Sequence, residues 1–305
     1  MEKIFIPHPF PYQGSKRNIA AQILPYIPKD TYRVIEPFCG TGAISIACAA
    51  YGISRQFILN DLNQPLIALW QTILENPEQL ATEYQSLWFL QQNNSKEFFL
   101  KIRDQFNQTH QPHHFLYLLA RIVKGSVRYN SNGEFNQSAD NRRLGMKPDL
   151  MRKNILSVSH MMKNKTSLLS LDFSEVIAQS TDTDIIYLDP PYQGTSGKRD
   201  QRYLEGLSFN DFVDVLYEMK LKNKMFLISY DGMTGNKVHG KKLPENLKLK
   251  HFYINAGKSS QDILLGRKNV TFESLYLSEA LQDKLLLSKH IAKQDQNDQK
   301  ELRFA

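Results

Sequence analysis

Two short segments carry residue types that can do chemistry together. The first is Asp189-Pro190-Pro191-Tyr192, directly after the apolar run Asp184 to Leu188 (DIIYL). Two prolines fix an extended corner, remove two amide donors and leave the Pro190 carbonyl free to accept. An amino group on a base that donated one hydrogen to the Asp189 carboxylate and one to that carbonyl would have its nitrogen lone pair turned toward an electrophile, with the Tyr192 ring stacked on the base. The plainer alternative is a strand ended by Pro-Pro, with Asp189 as a cap. The second segment is Glu36-Pro37-Phe38-Cys39-Gly40-Thr41-Gly42-Ala43. Gly40 and Gly42 permit positive φ and let a ligand approach bare backbone at a strand-to-helix turn, where α/β sheets bind nucleotides. It is not a complete dinucleotide fingerprint, because the third glycine of GxGxxG falls at Ser45. Asp61 follows Gly40 by 21 residues at the end of another apolar run, where a carboxylate can accept hydrogen bonds from both ribose hydroxyls. The set fits an adenosine-containing cofactor.

These residues need a scaffold that brings strand ends together. Arg33 to Phe38 reads as a strand, Gly42 to Tyr51 as a helix, Gln56 to Leu59 as a strand and Pro65 to Leu74 as a helix with proline at its start. That order predicts a parallel sheet. About ninety residues of helices and polar loops follow, with apolar spacing through Phe115 to Val123 and a Gly/Asn-rich stretch at Tyr129 to Asp140. Strands resume at Thr166 to Leu171, Asp184 to Leu188, Met225 to Tyr230, Lys248 to Tyr253 and Glu273 to Leu277, with a helix at Asn210 to Leu221. A helical insertion therefore interrupts one α/β sheet. The expected division is a sheet domain from 1–75 and 166–280, the insertion at 76–165, and a final helix or tail at 281–305.

The chain has 305 residues, 41% of them hydrophobic and 23% charged, so disorder and a membrane-embedded body are both poor readings. No stretch approaches eighteen uncharged apolar residues and the N-terminus carries Glu2, Lys3, Pro7 and Pro9, which predicts a cytoplasmic protein. Cys39 and Cys48 lack the spacing of a zinc site or a disulfide framework, so no metal is expected. The net charge of +7 is concentrated: Arg142, Arg143, Lys147, Arg152, Lys153, Lys163 and Lys165 stand against Asp149 alone between Asn141 and Lys165. Such a segment suits a polyanion, and a solvated helix face is the alternative.

The Gly-rich turn, the strand-end acid and the Asp-Pro-Pro-Tyr corner together resemble S-adenosylmethionine-dependent DNA methyltransferases that act on exocyclic amino groups, most closely the Dam-type adenine enzymes. Pro11-Tyr12-Gln13-Gly14-Ser15-Lys16-Arg17 is similar to that family's N-terminal motif, and Arg128 to Asn136 (RYNSNGEFN) is similar to its RYNxxGxFN signature. Asp172-Phe173, Phe209 to Asp211 and Ser229-Tyr230-Asp231 are weaker echoes. The resemblance implies a Rossmann-like methyltransferase sheet with a helical target-recognition insertion. It implies that Tyr12, Lys16, Glu36, Phe38, Gly40, Gly42, Asp61, Asp172, Phe173 and Asp189 hold S-adenosylmethionine, Lys16 being equally placed to reach DNA. Asp189, Pro190, Pro191 and Tyr192 would then take an adenine rotated out of double-stranded DNA, because the chemistry cannot occur inside the base stack. Methyl would pass directly, without a cysteine adduct.

In the insertion, Lys124, Arg128, Tyr129, Asn130, Arg142, Arg143, Arg152 and Lys153 are implied to contact DNA, with Arg128 suited to a guanine and most of the others to phosphates. Lys198 and Arg199 belong to a basic loop after the catalytic corner. Two departures argue against GATC as the target: Val123-Lys124-Gly125-Ser126 replaces the family's Tyr-Asn-Gly-Leu, and Gln137-Ser138 replaces its Val-Pro. A companion restriction endonuclease is compatible with this reading, and a membrane partner is not. The alternatives are a cytosine amino-group or RNA adenine methyltransferase, or a DNA-binding specificity factor without catalysis.

Overall fold

The computed structural model describes residues 4–191, 207–234, 237–239, 241–258 and 270–287. The sheet is built from β1 (Arg33–Glu36), β2 (Gln56–Asn60), β3 (Thr166–Leu169), β4 (Ile185–Leu188), β5 (Met225–Thr234), β6 (Lys237–His239), β7 (Lys250–Lys258) and β8 (Val270–Leu277). Its order is β3-β2-β1-β4-β5-β8-β7, with β6 paired to β5 off this path. The first five strands run parallel, and β8 is antiparallel to both β5 and β7.

Both faces of the parallel part are covered, which is why its strands read as continuous apolar runs. Successive side chains alternate between two cores. Val34, Phe57, Leu59, Ile185 and Tyr187 belong to one, and Ile35, Ile58, Ile186 and Leu188 to the other. The first core is closed by α2 (Ala43–Ala50), α3 (Gln64–Glu75) and the helices of the insertion, α4 (Pro77–Leu90), α5 (Ser95–Thr109), α6 (Pro112–Arg121) and α7 (Pro148–Met162). The second lies under α8 (Phe173–Ala178) and α9 (Phe209–Leu221). A four-residue helix, α1 (Ala20–Ile23), precedes β1.

The chain leaves β1 for β2 and β3 on one side, then returns to β4 and β5 on the other, so the strand order reverses between β1 and β4. Sheets of this kind bind ligands in the crevice at the carboxyl ends of the strands at that reversal. Arg33 pins the opposite end of this pair: its Nε and Nη2 donate to the two carboxylate oxygens of buried Asp184 at 2.9 and 2.6 Å. Among the described residues no helix is long and apolar enough to cross a membrane.

Candidate active site

Strand β1 stops at Glu36 because Pro37 has no N–H to offer, and the Cys39 amide instead donates to the Asn60 carbonyl at 2.8 Å. Asn60 knits three strand ends. Its side-chain amide donates to the Pro37 and Leu171 carbonyls at 2.9 and 3.0 Å and accepts from the Leu171 amide at 2.9 Å. The turn that follows requires its glycines. Gly40 and Gly42 have φ of +47° and +56°, and a Cβ on Gly42 would come 3.0 Å from the Trp70 ring. The Trp70 indole N–H donates to the Gly40 carbonyl at 2.9 Å and fixes the turn from α3. The Ser15 and Thr41 hydroxyls are 2.7 Å apart, tying the N-terminal motif to the same turn, and the Tyr12 ring lies over Gly40.

Gly42 has no side chain to cap α2, so Glu36 does it from the strand end, its carboxylate accepting from the Ser45 amide at 2.7 Å. Glu36 is buried, and removal from water pushes its carboxyl up to about 7. Asp61 is also buried and is raised to about 6 by the same cause, against the pull of the Asn63 and Gly40 amides, which donate to it at 3.0 and 3.2 Å. Those two bonds leave acceptor capacity on the Asp61 carboxylate for a ribose diol. Phe38 stacks on Phe173 with centroids 5.2 Å apart, making an aromatic floor beside the turn. Asp172 is exposed and caps α8 through the Ser174 amide at 2.9 Å.

Asp189 and Pro190 follow β4 on the other side of the reversal. Burial raises the Asp189 carboxyl to about 6, opposed by Lys16, whose Nζ sits 2.9 Å from its Oδ1. Lys16 is 5% exposed and also reaches the Gly14 carbonyl at 3.2 Å and Glu273 on β8 at 3.6 Å. The sequence marks Glu273 only as the start of a strand, since nothing in an alternating strand singles it out as a site residue. Ser229 accepts the Tyr187 hydroxyl at 2.7 Å where β5 bulges before Gly232. Both cysteines are free and buried, their thiols pushed up by burial. Tyr192, Lys198 and Arg199 lie outside the described residues.

The insertion meets this edge through backbone. Gly125, at φ +62°, packs so closely that a Cβ would come 2.7 Å from Pro11 and Tyr12 backbone atoms, and its carbonyl accepts from the Gln13 amide at 3.1 Å. It belongs to the 3-10 turn that also contains Lys124, whose side chain is outside the described set. Tyr129 donates its hydroxyl to Asn63, beside Asp61, at 3.0 Å, so the RYN signature reaches the Asp61 side of the crevice. Asn130 shapes the following turn, accepting from the Asn132 and Glu134 amides at 3.0 and 2.9 Å. Arg128 is exposed at the base of that turn.

The basic segment divides between a loop and α7, and on the loop Arg142 itself pairs with Asp140, its Nε 3.2 Å from the carboxylate. Arg142 and Arg143 are exposed on a loop held from beneath by buried side chains: Arg121 donates to the Arg143 carbonyl, Gln91 to that of Leu144 at 2.9 Å and Tyr84 to that of Met146 at 2.6 Å. Arg152 pairs across the surface with Glu78 and Thr82 of α4, and the Lys153 ammonium lies 4.6 Å over the Phe5 ring. The sequence shows the sign of this segment and not which charges have partners.

Buried carboxylates with raised pKa values around a glycine turn favour a ligand that brings positive charge and a ribose. A model of the D12 class of N6 adenine-specific DNA methyltransferases matches residues 12–278. The chain belongs to this family. The methyltransferase is 28% identical over 215 residues to the Type II methyltransferase M1.LlaDCHI of Lactococcus lactis, covering 66% of this chain and 72% of that one. It is 28% identical over 200 residues to the Type II methyltransferase M.MjaIII of Methanocaldococcus jannaschii, with 60% and 68% covered. With a DNA adenine methylase of Vibrio cholerae it shares 27% identity over 185 residues, with 59% and 63% covered. The expectations of an α/β methyltransferase fold and of an adenine-specific DNA methyltransferase are borne out.

Proposed function

We propose that the methyl donor is S-adenosylmethionine and that the acceptor is the amino group of an adenine turned out of double-stranded DNA, at a short site other than GATC. The observation that carries this is the convergence of Glu36, Asp61 and Asp189, all raised by burial, on one sheet edge around Gly40 and Gly42. A sulfonium donor bearing an adenosine group suits that charge and that backbone. Asp61 would hold the ribose, and Phe38 and Phe173 would contact the adenine ring of the donor. When bound, the donor supplies an electrophilic methyl group.

Asp189 and the Pro190 carbonyl each accept one hydrogen of the target amino group, which turns its lone pair toward that methyl. After transfer the nitrogen must lose a proton, and the Asp189 carboxylate is the nearest acceptor the corner provides. Arg128 reads a base, Lys124 and Asn130 border it, and Arg142 and Arg143 hold backbone phosphates. A companion restriction endonuclease fits this reading, in line with relatives named as Type II methyltransferases.

The test is expression in a methylation-free host followed by sequencing with modified bases detected directly. N6-methyladenine at one short sequence is expected. Modified cytosine, or no modified base from a folded protein, would overturn the assignment of acceptor, and methylation at GATC would overturn the assignment of target.

A further inference from the structure

Lys16, Asp189 and Glu273 come from the N-terminal motif, the end of β4 and the last strand, yet they meet at one ammonium group. Lys16 Nζ lies 2.9 Å from Asp189, 3.6 Å from Glu273 and 3.2 Å from the Gly14 carbonyl. The lysine is 5% exposed and the two acids 18% and 22%, so the group is largely removed from solvent screening. Glu273 is held in place by β-ladder pairing on both sides, opposite Gly232 of β5 and Ile254 of β7. Its partner on β5 directly follows the bulge that starts at Ser229.

We propose that Glu273 is a positioning residue for methyl transfer: with the Gly14 carbonyl it holds Lys16 on one oxygen of Asp189 and shares the lysine charge, which leaves the second oxygen a strong acceptor for the amino hydrogen. The inference rests on the reading of Asp189 as that acceptor. The physical need is a balance. Without Lys16, a desolvated Asp189 would face the Glu273 carboxylate and would be protonated too readily to accept a hydrogen at neutral pH. With Lys16 acting on Asp189 alone, the full ammonium charge would draw on the carboxylate and make it a weaker acceptor. A second carboxylate on the far side of the ammonium divides that pull.

The test is single-turnover methylation at saturating DNA and donor, measured across pH for the wild type, Glu273→Gln and Glu273→Asp. Glu273→Gln keeps the shape and removes the charge. It should lower the rate about tenfold, a fraction of what a positioned acid–base group contributes. Its acid limb should move to lower pH, because Asp189 loses a repelling neighbour, while donor affinity stays within about twofold. Glu273→Asp should restore most of the rate. An unchanged rate with an unmoved acid limb would overturn the proposal, as would a rate loss matched by an equal loss of donor affinity. Should Glu273→Gln not fold, Lys16→Met decides: its acid limb must move upward, and a limb left in place overturns the proposal. Asp189→Asn separates the two levels. Turnover in that variant sinks the reading of Asp189, whereas a dead Asp189→Asn beside a normal Glu273→Gln sinks the role of Glu273 alone.

Discussion

Replacing Glu36 by Gln should stabilise the ligand-free methyltransferase at alkaline pH relative to acid pH. The carboxyl is buried, accepts the Ser45 amide at 2.7 Å and is held up at about 7 instead of 4.5. A carboxyl raised on folding stabilises the native state below its unfolded pKa, and that stabilisation is lost as pH rises through the folded value. Between about pH 5 and about pH 8 the linkage relation gives a loss of about 2–3 kcal/mol for this one group. Glutamine keeps an acceptor for Ser45 and carries no charge. Any constant cost of its buried amide cancels when the two pH values are compared, so the stability difference between variant and wild type should shift by about 2–3 kcal/mol toward the variant. Denaturant titrations of both proteins at the two pH values measure this. Asp61 and Asp189 add slopes of the same sign, and both are present in each protein, so they drop out to first order. A difference that does not change with pH would refute the claim that Glu36 is held uncompensated beneath α2.

Asp189→Ala should abolish methylation while donor and DNA still bind within about tenfold, which equilibrium binding beside a turnover assay tests. Asp61→Ala should weaken donor binding by about 1.5–3 kcal/mol by calorimetry, and in the wild type that affinity should rise as pH climbs through about 6, where Asp61 ionises. Arg128→Ala should relax discrimination at one base pair by about 1–3 kcal/mol. Arg142→Ala or Arg143→Ala should weaken binding to every sequence and lower the salt slope by about one, whereas Arg152→Ala, which loses only its contacts with Glu78 and Thr82, should leave the slope unchanged. Gly125→Ala should destabilise the fold by about 1–3 kcal/mol, since its Cβ would strike the Pro11 and Tyr12 backbone, and an unchanged denaturation midpoint would contradict the close approach.

The parallel strands are legible because burial on both faces makes each a short continuous apolar run, and the two motifs are legible because their chemistry is local in sequence. The boundaries follow less closely where hydrogen bonding decides them. β1 ends before the predicted Phe38 because of Pro37, and β5 runs past the predicted Tyr230 to Thr234 across a bulge. What the sequence hides is convergence. Trp70 reads as one apolar position of a helix, yet its indole holds the Gly40 carbonyl. Glu273 stands far along the chain from Lys16, and no spacing rule relates them. The basic run predicts a DNA face from its sign, but Arg152 has an acid on the neighbouring helix.

The two halves of the site place opposite demands on buried carboxylates. Around the glycine turn, Glu36 and Asp61 meet hydrogen-bond donors, backbone amides and for Glu36 also the Ser45 side chain, but no cation among the contacts that the structure gives them. Uncompensated in this way, they make the crevice favourable to a cationic donor and costly to leave empty at alkaline pH. At the corner after β4 the proposed role requires a carboxylate ionised at neutral pH to accept an amino hydrogen, and there an ammonium group lies against it. On the proposed reading, a single lysine from the N-terminal motif separates a donor half, where negative charge is left open, from an acceptor half, where it is balanced. Because β1, β2 and β4 are parallel, their carboxyl ends share one edge, and the difference between the halves arises from one side chain brought in across it.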